Sequence, residues 1–152
     1  MLKRKGFTHT TNARSQNMAA IKGRNTRPEM VVRRLLYSLG YRYRLHRKDV
    51  PGNPDIVFLA RRKAIFINGC FWHQHQGCRL AHFPRSRLEY WGPKLARNVQ
   101  RDAASAAILQ NMGWKVLVLW ECEIKNVEPL TTRLIEFVGE STGLPSAPQL
   151  AV

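Results

Sequence analysis

The hydrophobic positions along the chain predict helices that alternate with strands. Thr26 and Glu29 have the spacing of a capping box, so the first firm helix is expected to begin there and to end at Gly40. The apolar stripe of this helix consists of Val32, Leu35, Leu36 and Leu39. Further helices are predicted over 14–21, 94–112 and 129–138.

Alternating and continuous apolar runs predict the strands. Apolar and basic residues alternate over 41–46, which is typical of a half-buried strand. The runs 55–60 and 63–67 flank Arg61-Arg62 and predict a hairpin of two central strands, in which Asp55 would face Asn68 to within one residue. A third buried strand is expected over 114–120. The element order predicts an α/β domain with a mixed sheet and helices on both faces.

The length of 152 residues suffices for one compact domain. We expect this domain over 14–140, between a flexible basic arm at 1–13 and a frayed tail at 141–152. No apolar run approaches the roughly 18 residues of a membrane span, and no signal-peptide core follows the basic N-terminus. The sequence therefore predicts a cytoplasmic protein without a membrane partner.

Charge is the strongest signal in the composition. The chain has 25 Lys and Arg against 10 Asp and Glu, which gives a net charge of +15. The excess is polarised, because residues 1–101 carry 22 basic and 4 acidic side chains whereas 102–152 carry 3 and 6. Such a balance indicates a polyanionic partner, with nucleic acid as the leading candidate and simple solubility as the alternative.

Three cysteines in a chain expected to be cytoplasmic favour metal binding over disulfides. Cys70, His75 and Cys78 lie within one irregular loop over 69–94, and Cys122 ends the third strand. Three thiolates and one imidazole satisfy a closed tetrahedral zinc site. His73 and His82 are rival fourth ligands. In the alternative reading, Cys70 and Cys122 are small buried apolar residues.

Acidic residues indicate a second site. Asp55 follows a Gly-Asn-Pro turn and opens an apolar strand, where an unpaired carboxylate is costly. Beside the backbone carbonyls of Ile67 and Asn68 it could bind Mg²⁺, and otherwise it caps the turn. Asp102 falls within the apolar stripe of its helix, so it either pairs with a buried arginine or belongs to a site.

Two residues have alternative roles that the sequence leaves open. The capping box already explains Glu29 without catalysis. His73, next to Trp72, has the chemistry of a general base, although a histidine in such a loop is more often structural.

Aromatic residues cluster in the basic loop. Phe71, Trp72, Tyr90 and Trp91 occur close to Arg79, Arg85 and Arg87. Flat rings among cations are suited to stacking on bases or wedging between them. The alternative is an aromatic mini-core over the loop. Trp114 and Trp120 alternate within the predicted third strand and are expected in the core.

Several blocks of the chain resemble the very-short-patch repair (Vsr) DNA mismatch endonucleases. The most specific is Gly69-Cys-Phe-Trp-His-Gln-His75. The others are Trp91-Gly-Pro-Lys94, Asn98-Val-Gln-Arg-Asp102, Gly113-Trp-Lys-Val-Leu-Val-Leu-Trp-Glu-Cys122, Arg14-Ser-Gln-Asn-Met18, Thr26-x-Pro-Glu29 and Pro51-Gly-Asn-Pro-Asp55. The blocks occur in order and cover about residues 14–138.

The resemblance implies a restriction-endonuclease-like fold of the PD-(D/E)xK type with a structural zinc ion. It also implies Mg²⁺-dependent nicking of one DNA strand, 5′ to the thymine of a T·G mismatch that arises from deamination of 5-methylcytosine. The expected partner is therefore double-stranded DNA with such a mismatch. Mismatch-repair proteins are further candidate partners, and a monomer located at the bacterial nucleoid is expected.

The resemblance also implies residue roles. Asp55 would bind Mg²⁺ together with the backbone carbonyl of Ile67, and Glu29 would hold metal-bound water. His73 would be the base or the proton-relay partner for the attacking water, and Asp102 would orient His73. The zinc ligands would be Cys70, His75, Cys78 and Cys122. The intercalating platform would be Phe71, Trp72 and Trp91, with Met18 as the wedge from the opposite groove.

The sequence departs from the family pattern at two places. Well-described members have Thr-His directly before the Gly-Cys-Phe-Trp-His block, where this chain has Ile67-Asn68. Ile67 still provides a backbone carbonyl at its position, but Asn68 cannot take a proton as histidine can. Either His73 suffices for catalysis or the enzyme is slower. The spacing from His75 to Cys78 is also one residue longer than in the best-described member of the family.

Two other functions compete with mismatch nicking. The first is a related zinc-containing endonuclease of the same fold that cuts unmismatched DNA, against which the intercalating residues argue. The second is a catalytically impaired DNA-binding module, for which Asn68 is the only support.

Overall fold

The computed structural model describes residues 23–141. The predicted arm at 1–13, the helix predicted over 14–21 with Met18, and residues 142–152 lie outside the described residues. The described elements are α1 (Arg27–Ser38), β1 (Arg44–Leu45), β2 (Ile56–Phe58), β3 (Lys63–Asn68), a 3₁₀ turn (Arg79–Ala81), α2 (Leu88–Asn111), β4 (Lys115–Trp120) and α3 (Val127–Val138). No helix in this part of the chain is long and apolar enough to cross a membrane.

The four strands form one mixed sheet in the order β1-β2-β3-β4. β1 and β2 pair antiparallel, as do β2 and β3, whereas β3 and β4 are parallel. The helix α2 connects the two parallel strands, as the crossover of such a pair requires. The predicted mixed sheet with a central hairpin is confirmed.

Alternation along the strands divides the core between the two faces of the sheet. Ile65 and Ile67 of β3 pack in the larger core with Leu36 of α1 and Leu134 of α3. Val57, Ala64 and Phe66 face the other way and meet Leu109 of α2. Helices therefore cover both faces, as predicted, and the residues of β3 with even numbers point toward α2.

The helix boundaries follow the caps. Thr26 caps α1 through its side chain, which accepts a hydrogen bond from the Glu29 N–H at 3.4 Å. The second firm helix begins at Leu88 instead of at 94. The helix continues through Pro93, which lies in its second turn and removes only one helical hydrogen bond.

Two strand predictions were wrong, the first in the length of the strand and the second in its burial. The strand expected over 41–46 is only Arg44–Leu45, because its partner β2 is three residues long and begins after Pro54, which has no N–H to donate. The strand expected to be buried, β4, is an edge strand. Of its six residues only Leu119 is buried, since β4 has a partner on one side alone.

The register of the central hairpin also differs from the prediction. Phe58 pairs with Lys63, so the turn contains four residues instead of the two expected. Arg62 adopts φ 51° to close this longer turn. The pairing shifts by two residues, and Asp55 lies opposite Phe66 instead of Asn68.

Candidate active site and metal cluster

The loop after β3 brings three cysteines and one histidine together. The ligand atoms of Cys70, His75, Cys78 and Cys122 all lie within 4.8 Å of one another. His75 Nδ1 is 3.4 Å from Cys122 Sγ and 3.7 Å from Cys70 Sγ. Ligands at Zn–S and Zn–N distances of about 2.3 and 2.0–2.1 Å are about 3.5–3.8 Å apart in a tetrahedron. The cluster could therefore hold a metal ion, and its donor set fits zinc.

Local backbone contacts fold this loop around the cluster. The His75 N–H donates to the Cys70 carbonyl at 3.0 Å, and the Cys78 N–H donates to the His75 carbonyl at 3.3 Å. The imidazole of His75 stacks on Trp120, with ring centroids 4.1 Å apart and an interplanar angle of 6°. Trp120 thus supports the cluster in addition to closing the strand.

The thiols of the cluster need a nearby cation to ionise together. Burial raises the pKa of Cys70 to about 12. Burial also raises the pKa of Cys122, whereas the backbone N–H of Leu80 lowers that of Cys78. The rival ligands are not in the cluster: His73 binds Asp102, and the ring of His82 packs on Phe71 at 5.7 Å.

A cavity of about 1290 Å³ lies beside this cluster and is lined from both α1 and α2. Its walls include Asp55 at the start of β2, Asn68 at the end of β3 and Glu29 in the first turn of α1. The helix α2 contributes Asp102, and the loop after β3 contributes His73. Five residues that the sequence singled out separately therefore line one cavity.

Asp55 is held by its neighbour in the hairpin. Its Oδ2 accepts a hydrogen bond of 2.6 Å from the Ile67 N–H. Burial raises the pKa of Asp55 to about 6, against the lowering effect of that hydrogen bond, and the charge of Glu29 adds to the rise. A partly buried carboxylate without a full counter-charge is suited to bind a cation.

His73 and Asp102 form a pair across the cavity wall. His73 Nδ1 contacts Asp102 Oδ2, which leaves Nε2 free to exchange a proton with another group. The His73 N–H donates to the Gly69 carbonyl at 3.1 Å, and Asn98 donates to the Trp72 carbonyl at 3.0 Å. These backbone contacts fix the loop that carries His73 against α2. The structure thus pairs Asp102 with a histidine and not with an arginine.

Glu29 combines a helix cap with a place in the cavity wall. It is 3% exposed. Its Oε2 accepts from the Asn25 N–H at 3.1 Å and from Arg33 Nη2 at 2.7 Å, and its Oε1 accepts from the Thr26 hydroxyl at 3.2 Å. The capping interpretation is confirmed in part, because the reciprocal bond goes to Asn25 and not to the Thr26 N–H.

Asn68 ends β3 at the boundary between the cavity and the cluster. It is 7% exposed, and its carbonyl accepts from the Glu121 N–H at 3.0 Å. Glu121 in turn accepts from the Cys70 N–H at 3.4 Å. The end of β3 therefore joins the cavity directly to the metal cluster.

The aromatic residues pack on one another at the cavity rim. Phe71 lies 5.2 Å from Trp72 and 5.5 Å from Trp91 between ring centroids, and Trp91 lies 5.2 Å from Tyr90. The first three rings are half-buried and Tyr90 is exposed. The rings thus form a mini-core with an open edge. This arrangement is compatible with both interpretations from the sequence, the aromatic mini-core and the surface for stacking on bases. Trp114 and Trp120 are half-buried and not fully in the core.

Two residues at the cavity were missed as individual site residues. Lys94 Nζ lies 5.4 Å from the Trp72 ring centroid, 5.7 Å from Trp91 and 5.1 Å from Tyr90. Asn98 follows one turn later on the same helix. A signal was present in the sequence, since Lys94, Asn98 and Asp102 recur at a spacing of four and so share one helix face.

The chain is similar to several known DNA endonucleases. A family model described as DNA mismatch endonuclease Vsr matches residues 7–79. The type II nicking enzyme V.XorIIP of Xanthomonas oryzae is 53% identical over 117 residues, which are 77% of this chain and 85% of that protein. The DNA mismatch endonuclease Vsr of Escherichia coli is 42% identical over 123 residues, 81% of this chain and 78% of that protein.

A third relative extends the match to more of the chain. The type II nicking enzyme V.NmeAIP of Neisseria meningitidis is 40% identical over 131 residues, 86% of this chain and 93% of that protein. These similarities identify the chain as a DNA endonuclease. It belongs to the Vsr family of DNA mismatch endonucleases. The family resemblance read from the sequence blocks is thereby confirmed.

Proposed function

We propose that this endonuclease nicks one strand of double-stranded DNA 5′ to the thymine of a T·G mismatch. Such mismatches arise by deamination of 5-methylcytosine, and the nick would start very short patch repair. The observation that carries the proposal is the cavity itself. It combines a partly buried carboxylate, Asp55, with an oriented histidine, His73, and it opens beside an aromatic cluster that suits unstacked bases.

The cavity fits a magnesium ion at Asp55. Mg²⁺ prefers carboxylate and carbonyl oxygens, and the Asp55 carboxylate lies against the backbone of Ile67. Asp55 and the carbonyl of Ile67 would hold the ion. When bound there, Mg²⁺ would supply positive charge to the scissile phosphate and to the departing oxygen.

The side chains around the cavity would handle the attacking water. His73 Nε2 takes a proton from the water as its oxygen attacks phosphorus, and one phosphorus–oxygen bond of the backbone breaks. Asp102 keeps His73 in the tautomer with the free Nε2 and stabilises the imidazolium that forms. Glu29 holds ordered water at the cavity wall. Asn68, which cannot take a proton, orients groups by hydrogen bonding only.

The aromatic cluster supplies selectivity for a mismatch. Phe71, Trp72 and Trp91 would stack on bases that are displaced when the helix is opened, and Met18 would enter from the opposite groove. Unstacking costs a few kcal/mol and is least costly at a mismatched pair, so the deformation itself favours T·G over T·A. The basic side chains along residues 1–101 supply affinity for phosphates that falls steeply with salt.

The Cys/His cluster would hold a structural zinc ion. With four protein ligands the cluster has no open coordination position, which is the pattern of structural and not catalytic zinc. It would fix the loop that carries Phe71, Trp72 and His73.

A strand-resolved nicking assay tests this function. Duplexes with one T·G or a matched T·A at the same position, in several flanking sequences, are incubated with Mg²⁺ or without added divalent cation. A chelator is avoided because it would also remove zinc. We expect a Mg²⁺-dependent cut 5′ to the mismatched thymine and none in the matched duplex. Equal cutting of both duplexes would indicate an endonuclease for unmismatched DNA, and binding without cutting would indicate an impaired module.

A further inference from the structure

A buried arginine lies behind the cavity wall and has two cavity residues as partners. Arg33 is 7% exposed. Its Nη2 is 2.7 Å from Glu29 Oε2 and 2.9 Å from His46 Nε2, and its Nη1 donates to Asn25 Oδ1 at 2.7 Å. Its Nε has no hydrogen-bond partner. The guanidinium is thus held at its two terminal nitrogens, by Asn25, Met30, Glu29 and His46.

The chemistry of the pair determines the tautomer of His46. A guanidinium has only donors, so the contact requires that His46 Nε2 accepts and that the imidazole proton resides on Nδ1. Neutral His46 is favoured there because burial and the charge of Arg33 lower its pKa, although Glu29 acts in the opposite direction. The histidine therefore anchors Arg33 as an acceptor and does not compete with it for Glu29.

This network reaches the catalytic carboxylate. His46 and Glu29 both line the cavity together with Asp55. The His46 N–H faces the Asp55 carbonyl at 3.5 Å, where β1 ends beside β2. Glu29 Oε2 lies 3.6 Å from His46 Nε2, so one guanidinium nitrogen contacts both side chains. A shift of Arg33 would move the Glu29 carboxylate directly.

We propose that His46, acting through Arg33, is a positioning residue that holds the Glu29 carboxylate in the cavity wall beside Asp55. The inference deepens the proposed function and rests on it for its effect on nicking. When the acceptor at position 46 is lost, a second buried N–H of Arg33 has no partner beside the unpaired Nε. The guanidinium then turns toward a new acceptor, and the Glu29 carboxylate moves with it because Oε2 is hydrogen-bonded to Arg33 Nη2.

The test compares His46→Gln, whose amide oxygen can accept from Arg33, with His46→Ala, which cannot. Loss of an outer partner of a metal site reduces metal affinity or activity by about 10–100-fold. We expect this reduction for His46→Ala in single-turnover nicking or in the half-saturating Mg²⁺ concentration, with DNA affinity unchanged. His46→Gln should restore wild-type behaviour to within about threefold. In a Glu29→Gln background, His46→Ala should have no further effect.

Nuclear magnetic resonance tests the proposal without any activity. Long-range ¹H–¹⁵N spectra of the wild-type protein should show His46 as the Nδ1–H tautomer, and the Glu29 carboxyl ¹³C resonance should move in His46→Ala but not in His46→Gln. An Nε2–H tautomer, an unchanged Glu29 resonance, or additive effects of Glu29 and His46 on nicking would overturn the proposal. Wild-type protein that fails to nick but shows the expected tautomer and resonance would contradict the proposed function and leave the positioning network intact.

Discussion

The metal cluster and the cavity meet at the end of β3, yet they are built in opposite ways. The four ligand atoms of the cluster lie within 4.8 Å of one another, so they converge on a single point. In the cavity three ionisable side chains each have a separate partner: Asp55 has the Ile67 N–H, His73 has Asp102 and Glu29 has Arg33. The four ligand atoms of the cluster could close around a single ion, whereas the cavity is open.

The difference predicts that the cluster contributes to the stability of the protein and that the cavity carries out its chemistry. Closed sites with four protein ligands contribute to folding, whereas catalytic sites keep an open position. Asn68 joins the two regions through Glu121 and Cys70, so they are neighbours along one strand end. Substitutions in the cluster should therefore destabilise the protein, and substitutions in the cavity should impair nicking without loss of stability.

The largest effect is expected at the cluster. Cys122→Ala should abolish binding of about one zinc ion per chain, because three ligands no longer close the site. Zinc binding to structural sites contributes several kcal/mol to folding, so the melting temperature should fall by about 10 °C or more. Metal analysis and calorimetry measure both quantities.

His82→Ala is the matched control for the cluster. His82 was a candidate zinc ligand in the sequence but lies outside the group of ligand atoms. This variant should keep its zinc, and loss of zinc in His82→Ala would contradict the assignment of His75 as the fourth ligand.

Asp55→Asn should abolish nicking but increase stability in Mg²⁺-free buffer. The pKa of Asp55 is raised from 3.8 to about 6, so the folded protein binds this proton more tightly than the unfolded chain does. The stability that Asp55 contributes is present below pH 3.8 and is lost as pH rises through about 6. Near neutral pH the variant should gain up to about 3 kcal/mol in unfolding free energy.

Urea unfolding at several pH values measures this gain. The difference between Asp55→Asn and the wild-type protein should disappear toward pH 3.8. A variant that is less stable than wild type near neutral pH would show that the carboxylate is fully compensated inside the protein and is not poised for a cation.

The pH dependence of nicking should reflect competition between a proton and Mg²⁺ at Asp55. Because a protonated carboxyl is a poor metal ligand, the rate at low Mg²⁺ should fall as pH decreases through about 6. A tenfold increase in Mg²⁺ should move the midpoint to lower pH. Single-turnover rates at two Mg²⁺ concentrations test this, and a midpoint that does not move would exclude Asp55 as the competing group.

The smallest effect is expected at Asn68. Asn68→His would supply the side chain that well-described members carry at this position, with a proton acceptor facing the cavity. If the asparagine limits proton transfer, the nicking rate should rise by about tenfold or less. The matched variant Asn68→Gln adds volume without a base and should not be faster than wild type. Equal rates for all three proteins would show that His73 suffices.

The sequence indicated the fold class and the residues that lie together in the cavity and the cluster better than it predicted strand pairing. Continuous apolar runs indicated that β2 and β3 are central strands, and the cysteine spacing indicated the Cys/His cluster. The register was wrong by two residues because apolar runs do not reveal the length of a turn. Arg62 closes the four-residue loop in a positive-φ conformation, which an arginine side chain does not predict.

Long-range partners were the other part that the sequence could not supply. His46 falls in an alternating basic segment, and nothing local indicates that it meets Arg33, thirteen residues earlier and on another element. Likewise, the pairing of Asp102 with His73 depends on how α2 crosses the sheet. The stripe position of Asp102 showed that it needed a partner but not which one.

The most direct test of the central claim is to measure nicking and binding of a T·G duplex for His73→Ala in the same samples. If His73 takes the proton of the attacking water, the single-turnover rate should fall by about 10²–10⁴-fold. The dissociation constant for the duplex and the zinc content should remain at wild-type values. A variant that nicks at the wild-type rate, or that loses binding as much as it loses nicking, would contradict the assignment of the chemistry to this cavity.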